Sequence, residues 1–295
     1  MRTFVAACLA TASLLGLGGP AFAASFGEVQ TSNYRAILGE QVTQSTVHRY
    51  SGNPDVLVID IPTLTEQSRM FNRVVALIER IGAPRDRVLT NEELAEFIRK
   101  IGQTELTFAY GNDFRVSELV VFFNLASHGG IALNDEEIRL RDFLLEERLV
   151  KSPYGFLQVN GKDRVILSLP QAQVQQVSEG KSLRITDRAR ETILRHELSH
   201  GEYYANPQYA DYCRRFWYTV LSEPERQTFR QFLGGRSYNT RNEEMMVNET
   251  QAYLMHTPDP AAFNPQRSGF TQAQIDRLRR LFMEGGPPSA LFSEY

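Results

Sequence analysis

The sequence predicts an α+β protein in which a small sheet is followed by a mainly helical C-terminal half. Two β-branched apolar runs, Val56–Ile61 and Val165–Leu169, are each closed by a proline, a pattern typical of buried strands. Elsewhere apolar residues recur every three or four positions, and these helical patterns dominate after residue 186. A chain of 295 residues with 42% hydrophobic residues can bury one large core or two modest ones.

The N-terminus has the pattern of a cleaved signal peptide. Arg2 precedes the apolar run Val5–Leu17, and Ala21 and Ala23 fit the small residues required before a cleavage point. The run is too short to span a bilayer, so we expect residues 1–23 to be removed. The alternative is a buried N-terminal helix. The signal-peptide interpretation predicts a periplasmic or secreted protein without an integral membrane segment after cleavage.

Residues 24–160 are expected to form an N-terminal α+β region of unassigned role. Its principal strand is the first β-branched run, Val56–Ile61. A turn at Asn160–Asp163 leads into the second run, Val165–Leu169, which lies beyond the end of this region. Thr90 followed by Glu93 is typical of a helix start. The further elements predicted here are a short strand at Thr107–Tyr110 and helices at Glu66–Ile81, Thr90–Ile101, Ser117–Ala126 and Asp135–Val150.

Residues 161–295 are expected to form the catalytic region. The polar, glutamine-rich segment Gln171–Gly180 is predicted to be a loop, and the two halves of the chain are expected to meet near it. Thr186-Asp187 then opens a long helix that Asn206-Pro207 closes. The later predicted helices are Tyr209–Leu221, Glu223–Leu233, Asn242–His256 and Thr271–Met283.

Composition excludes several partners and cofactors. The formal net charge is -3 and neither sign forms a dominant patch in the sequence, so no nucleic-acid partner is predicted. No glycine-rich phosphate loop or dinucleotide fingerprint occurs. After signal cleavage Cys213 is the single cysteine, so no internal disulfide can form, and its aromatic surroundings indicate a buried thiol.

His196, Glu197 and His200 carry the strongest functional signal. Histidines four residues apart on a helix project from one side and can bind a single metal ion. Imidazole nitrogen suits zinc, and a catalytic zinc keeps an open position for water. Glu197 follows the first histidine and is placed to accept a proton from water bound to the metal. The alternative is a pair of helix histidines without a metal.

The segment Leu194–Gly201 resembles the active-site helix of zincin metallopeptidases. The metzincin extension would need histidine at position 206, where this chain has asparagine. Asn248, Glu249 and Ala252 match the glutamate helix of the gluzincin branch. This chain departs from that pattern at Tyr253, because aspartate is expected there. Across residues 186–256, the resemblance implies a zincin-like fold, one Zn²⁺ per chain and a peptide or protein substrate.

Glu249 is the predicted third metal ligand. Three- and four-residue steps from it reach a mostly apolar helix face, where an unpaired carboxylate costs several kcal/mol. Glu243 and Glu244 lie at the helix start and can stay solvated. A buried arginine partner for Glu249 is the alternative explanation, and His256 is the second candidate for the ligand.

Tyr204 and Tyr253 are the candidate catalytic tyrosines. Each lies about one helical turn beyond a proposed ligand and could stabilise an oxyanion, as could His256. Tyr253 could instead hold His196 in place. The rival to a zinc peptidase is a non-catalytic binding protein with a structural or vestigial zinc site. Glu197 speaks against the rival, because a structural site needs no base.

Overall fold

The computed structural model describes residues 25–178, 181–236 and 238–294. The predicted signal peptide at residues 1–23 lies outside this part of the chain. The described strands, in chain order, are β1 (Gln30–Ser32), β2 (Thr46–Tyr50), β3 (Val56–Ile61), β4 (Asn112–Arg115), β5 (Val150–Lys151), β6 (Gln158–Val159), β7 (Val165–Pro170), β8 (Gln173–Ser178) and β9 (Lys181–Ile185).

The protein is a mixed α+β fold in which helices outweigh strands. The described helices are α1 (Tyr34–Gly39), α2 (Leu64–Ile78), α3 (Asn91–Lys100), α4 (Val116–His128), α5 (Asp135–Glu146), α6 (Asp187–Ala205), α7 (Pro207–Arg215), α8 (Glu223–Gly234), α9 (Glu243–His256), α10 (Pro265–Ser268), α11 (Gln272–Glu284) and α12 (Leu291–Glu294). No helix of the described chain is long and apolar enough to cross a bilayer.

A five-stranded mixed sheet in the order β1-β2-β3-β7-β4 forms the centre. The β-branched runs predicted as strands are β3 and β7, which pair in parallel in the middle of the sheet and are buried on both faces. Strand β4 pairs antiparallel with β7 and occupies the sheet edge. Residues from both sides of position 160 thus share one sheet.

Helices cover both faces of this sheet. Leu57, Ile59 and Ile166 point into a core shared with α2 to α5, whereas Val58 and Leu167 point into a core shared with α1 and α6. The two-residue alternation of strand side chains accounts for this division. A third core, rich in aromatic residues such as Tyr209, Trp217, Phe229 and Phe282, lies among the C-terminal helices.

Two contacts fix α6 against the sheet. At its start, the guanidinium of buried Arg190 forms a two-pronged pair with Asp60 of β3, with nitrogen–oxygen distances of 2.9 and 2.7 Å. Near its end, a Cβ at Gly201 would lie 2.9 Å from Val56 Cγ1, so only glycine lets the helix approach this closely. Both contacts determine where the histidines between them lie.

Several local predictions are confirmed and others are wrong. Thr90 and Glu93 form the expected capping box at the start of α3. The predicted loop at Gln171–Gly180 contains β8, which pairs antiparallel with β9 as a hairpin. Its polar residues resemble a loop because most of the described side chains of β8 contact solvent.

The strand predicted at Thr107–Tyr110 is also wrong. Thr107 closes a 3-10 turn through hydrogen bonds with Thr104, and the strand begins at Asn112, where pairing with β7 becomes available. The predicted helix Asp135–Val150 ends at Glu146, since Arg148 takes a left-handed backbone (φ 53°). The predicted helix Tyr209–Leu221 is α7 followed by a π-helical turn, Phe216–Val220.

Candidate metal centre

His196, His200 and Glu249 converge where α6 packs against α9. The imidazole ring centroids of the two histidines lie 4.7 Å apart. His196 Nε2 is 3.7 Å from one carboxylate oxygen of Glu249, and His200 Nε2 is 3.7 Å from the other. Within the described chain, these three side chains form the group able to hold a metal ion, with ligand atoms within 4.8 Å of one another.

The spacing suits a cation between the three side chains. Two atoms that each lie about 2.1 Å from a tetrahedral zinc are about 3.4 Å apart. The 3.7 Å separations are close to this value and too long for direct hydrogen bonds. Burial, followed by the charge of neighbouring His200, lowers the pKa of His196 well below its usual value, which favours the neutral imidazole that binds metals.

Hydrogen bonds to Nδ1 leave Nε2 of both histidines available as ligands. His196 Nδ1 lies 2.9 Å from Thr257 Oγ1, and the Thr257 hydroxyl donates to the Ala252 carbonyl, so its oxygen accepts from Nδ1–H. His200 Nδ1 donates to Asn248 Oδ1 at 2.9 Å. Partners of this kind fix the tautomer and orientation of metal-binding imidazoles. Thr257, rather than Tyr253, therefore makes the hydrogen bond that orients His196.

We predict that Thr257→Val weakens zinc binding roughly 10- to 100-fold, because His196 loses its hydrogen-bond acceptor while the side-chain shape is kept. Competition with a chromophoric chelator measures the affinity. Thr250→Val is the matched control, since the Thr250 hydroxyl is equally buried on α9 and has no hydrogen-bond partner among the described residues. Equal zinc affinity in wild type and Thr257→Val would exclude this role.

Glu249 has the environment of a metal-binding carboxylate. The residue is 9% exposed, and its Oε2 is buried without a hydrogen-bond partner among the described residues. Burial raises its pKa to about 7, His200 acts against the rise, and the charges of Asp113 and Glu79 add to it. None of the ion pairs in the described chain joins Glu249 to an arginine, so the alternative explanation of an arginine partner has no support there.

The two glutamates at the start of α9 have other partners, as expected. Glu243 accepts from Trp217 Nε1 and pairs with Arg230. Glu244 accepts from the Tyr203 hydroxyl and pairs with Arg214. His256 is also occupied elsewhere: it is fully buried, its Nε2 lies 3.1 Å from the Tyr209 hydroxyl, and it is not part of the metal-binding group.

Glu197, the predicted general base, is buried and lines the same cleft as the metal-binding group. It is 7% exposed, and its Oε2 has no hydrogen-bond partner among the described residues. Burial, followed by the charges of Asp113, Glu249 and Glu79, raises its pKa well above the usual range. A bound cation would oppose this effect by stabilising the carboxylate. Glu202, on the same helix, has other partners and accepts hydrogen bonds from Asn53 and Asn206, both at 2.7 Å.

Gly111, just before β4, supports the Glu197 side chain. A Cβ at Gly111 would lie 2.3 Å from Glu197 Oε1, which is closer than any real contact. The glycine backbone at this position does not require positive φ. The absence of a side chain at Gly111 therefore lets the sheet edge lie close to the Glu197 carboxylate.

We predict that Gly111→Ala retains zinc but lowers kcat roughly 10²-fold, because the new methyl group displaces the base from its position. Zinc content and initial rates on the same preparation measure the two effects. Gly39→Ala is the control, since a Cβ at Gly39 meets open space and its φ is not positive. Unchanged kcat in Gly111→Ala would contradict this function of the glycine.

The candidate tyrosines both line the cleft at this site. The ring of Tyr253 packs edge-on against that of His196, with centroids 4.8 Å apart, so it contacts the imidazole without taking the Nδ1 hydrogen bond. Tyr204 lies under the guanidinium of Arg115, 5.4 Å from its Cζ. Burial raises the pKa of Tyr253 to about 12 and that of Tyr204 well above its usual value, which keeps both hydroxyls protonated.

The cleft has a volume of about 990 Å³ and is bordered by the sheet edge, α6, α7 and α9. The cleft also contains residues that the sequence patterns did not assign to the site, among them Gly111, Thr257, Tyr238, Glu79 and Asp113. Thr257 could have been found, because it continues the helix face of Glu249 and Tyr253 by one more turn. The others lie far away in the chain or on irregular backbone and left no periodic signal.

Comparison with known proteins provides no family assignment: no family model matches the chain, and neither the curated proteins nor the solved structures include a significant match.

Proposed function

We propose that this chain is an exported, zinc-dependent metallopeptidase that hydrolyses peptide bonds. The observation that carries the proposal is the convergence of His196, His200 and Glu249, with their ligand atoms within 4.8 Å, beside the buried carboxylate of Glu197 in an accessible cleft. Two imidazole nitrogens and one carboxylate oxygen make up a donor set that suits catalytic zinc.

Bound there, zinc supplies Lewis-acid activation of water and of the substrate carbonyl. Glu197 accepts the proton of the attacking water on a carboxylate oxygen and then delivers it to the nitrogen of the leaving amine. Thr257 and Asn248 hold the two imidazoles in the required tautomer. The protonated hydroxyls of Tyr204 and Tyr253 are the candidate donors to the developing oxyanion.

The position of the edge strand β4 favours a peptide as the substrate. This strand pairs with β7 along one side and forms the end of the sheet, next to the cleft. An exposed strand edge offers backbone groups to which an extended peptide can pair. Because Gly111 connects directly to β4 and adjoins Glu197, a peptide aligned on this edge passes beside the base.

The rival proposal is a non-catalytic protein with a structural or vestigial zinc site. A structural zinc is closed by four protein ligands, whereas the group found in the described chain has three. The buried base and the open cleft also favour the hydrolase.

The test is a degradation screen of purified protein against unfolded proteins and cell-wall peptides, with and without chelator. We expect cleavage of at least one substrate, its loss with chelator, and its return when zinc is added. Failure to cleave any substrate by zinc-loaded protein, or cleavage that resists complete zinc removal, would contradict the proposal.

Export is supported by the pattern of residues 1–23. We predict that protein isolated from outside the cytoplasm begins at Ala24 or within two residues of it, which N-terminal sequencing measures. Soluble cytoplasmic protein that retains Met1 would show that this part of the proposal is wrong.

A further inference from the structure

Arg236, which follows α8, lines the same cleft as the candidate metal centre. Its guanidinium lies over two aromatic rings, 4.6 Å from the centroid of Phe232 and 5.2 Å from that of Tyr253. One nitrogen, Nη2, donates to the Ala262 carbonyl at 2.6 Å. Stacking and the hydrogen bond orient the guanidinium, and its other N–H groups are left for a ligand.

Of the four arginines that line the cleft, two have an acidic partner within the described chain, whereas Arg236 and Arg80 form no ion pair there; the charge of Arg80 acts on its neighbour Glu79. Arg115 pairs with Glu118 at 2.9 Å, and Arg214 pairs with Glu244 at 2.5 Å. Arg80 donates to the Phe108 carbonyl and stacks on the Phe108 ring. None of the ion pairs among the described residues includes Arg236.

Arg236 lies close enough to the metal centre to bind part of a substrate that reacts there. Tyr253 lies between Arg236 and His196, and the two ring contacts place the guanidinium within about 10 Å of the imidazole, a span that roughly three extended residues cover. A group held by Arg236 therefore lies only a few residues from a scissile bond at the metal centre.

The part of the cleft beside the metal centre is lined by carboxyl groups. Glu79, at the end of α2, and Asp113, on β4, line it and have no ion-pair partner in the described chain. Glu197 and Glu249 line the same part of the cleft. These carboxyl groups offer a negatively charged substrate group no charge partner, whereas the Arg236 guanidinium does, so the cleft distinguishes one direction along a bound peptide.

We propose that Arg236 is a specificity-determining residue that binds a carboxylate of the peptide substrate, supplied either by the C-terminus or by an acidic side chain, a few residues from the scissile bond. This inference rests on the proposed peptidase function for its substrate class. The planar guanidinium fork can donate two parallel hydrogen bonds to such a carboxylate.

Peptide binding to zinc-loaded Glu197→Gln protein tests the inference without turnover. The probes are fluorescent alanine-based hexapeptides of one length, with a free or amidated C-terminus and with Glu or Gln at each position in turn. We expect at least a tenfold preference for one carboxylate-bearing form over its neutral counterpart. Preference for the free acid identifies the C-terminus as the source, and preference for Glu over Gln identifies the side chain.

Adding Arg236→Gln to this protein should remove the preference, and Arg236→Lys should retain part of it. Arg214→Gln is the matched control, because Arg214 lines the same cleft but is held by Glu244. Equal affinity for all forms, including no measurable binding, overturns the inference, as does retained preference in Arg236→Gln.

Wild-type cleavage separates this inference from the proposed function. Zinc-dependent cleavage without carboxylate preference would leave the peptidase standing and remove the role of Arg236. Carboxylate-selective binding by Glu197→Gln, combined with no cleavage by wild type of any unfolded protein or peptide, would support Arg236 and contradict the peptidase.

Discussion

Glu197→Gln is expected to retain one zinc per chain and to lose roughly 10²- to 10⁴-fold in kcat, the range that a positioned general base contributes. Glutamine preserves the shape of the side chain and does not disturb His196, His200 or Glu249. It cannot accept the proton of the attacking water. Metal analysis and initial rates on a substrate that wild type cleaves measure both quantities.

The control for this variant is Glu191→Gln on the same helix. Glu191 pairs with Arg195 at 2.6 Å and does not line the cleft, so its loss should leave kcat unchanged. A Glu197→Gln protein that turns over at the wild-type rate would rule out the base assignment. Loss of zinc in that variant would instead indicate that Glu197 is a ligand.

Glu249→Ala is expected to abolish stoichiometric zinc binding, and hydrolysis with it, because the site loses its carboxylate ligand. The variant should stay folded, because removing the buried carboxylate relieves its repulsion by Asp113 and Glu79 and offsets part of the lost packing. Zinc content, with circular dichroism as the check on folding, measures the effect.

Two neighbours on α9 provide matched controls. Glu244→Ala removes a half-exposed carboxylate that pairs with Arg214, and His256→Gln replaces a buried imidazole that lies against Tyr209. Both variants should retain zinc. Full zinc retention in Glu249→Ala would remove Glu249 from the site, and loss of zinc in His256→Gln alone would favour the second candidate.

The parts of the fold and site that sequence analysis anticipated are local in sequence. Val56–Ile61 and Val165–Leu169 are buried on both faces, so their apolar character is continuous and easy to detect. His196 and His200 are related by one helical turn, which requires only that α6 be a helix. Glu249 is buried as its apolar neighbours predicted, although every residue of α9 from Met246 to Leu254 is buried too.

The remaining parts depend on contacts between distant segments. Gly111 adjoins Glu197 because β4 joins the sheet beside β7, and no pattern around residue 111 indicates that pairing. Thr257 lies one residue past the predicted helix Asn242–His256, and its hydroxyl meets His196 from 61 positions away. The β8–β9 hairpin was missed because a strand exposed to solvent lacks the apolar alternation on which strand prediction depends.

The central claim is that His196, His200 and Glu249 bind one catalytic zinc ion with an open coordination position. A crystal structure of zinc-loaded protein, with anomalous diffraction data at the zinc absorption edge, tests it most directly. We expect one strong anomalous peak about 2.0–2.2 Å from His196 Nε2, His200 Nε2 and a Glu249 carboxylate oxygen, with the remaining coordination position of the zinc facing the cleft. Zinc bound elsewhere, or closed by a fourth protein ligand, would contradict it.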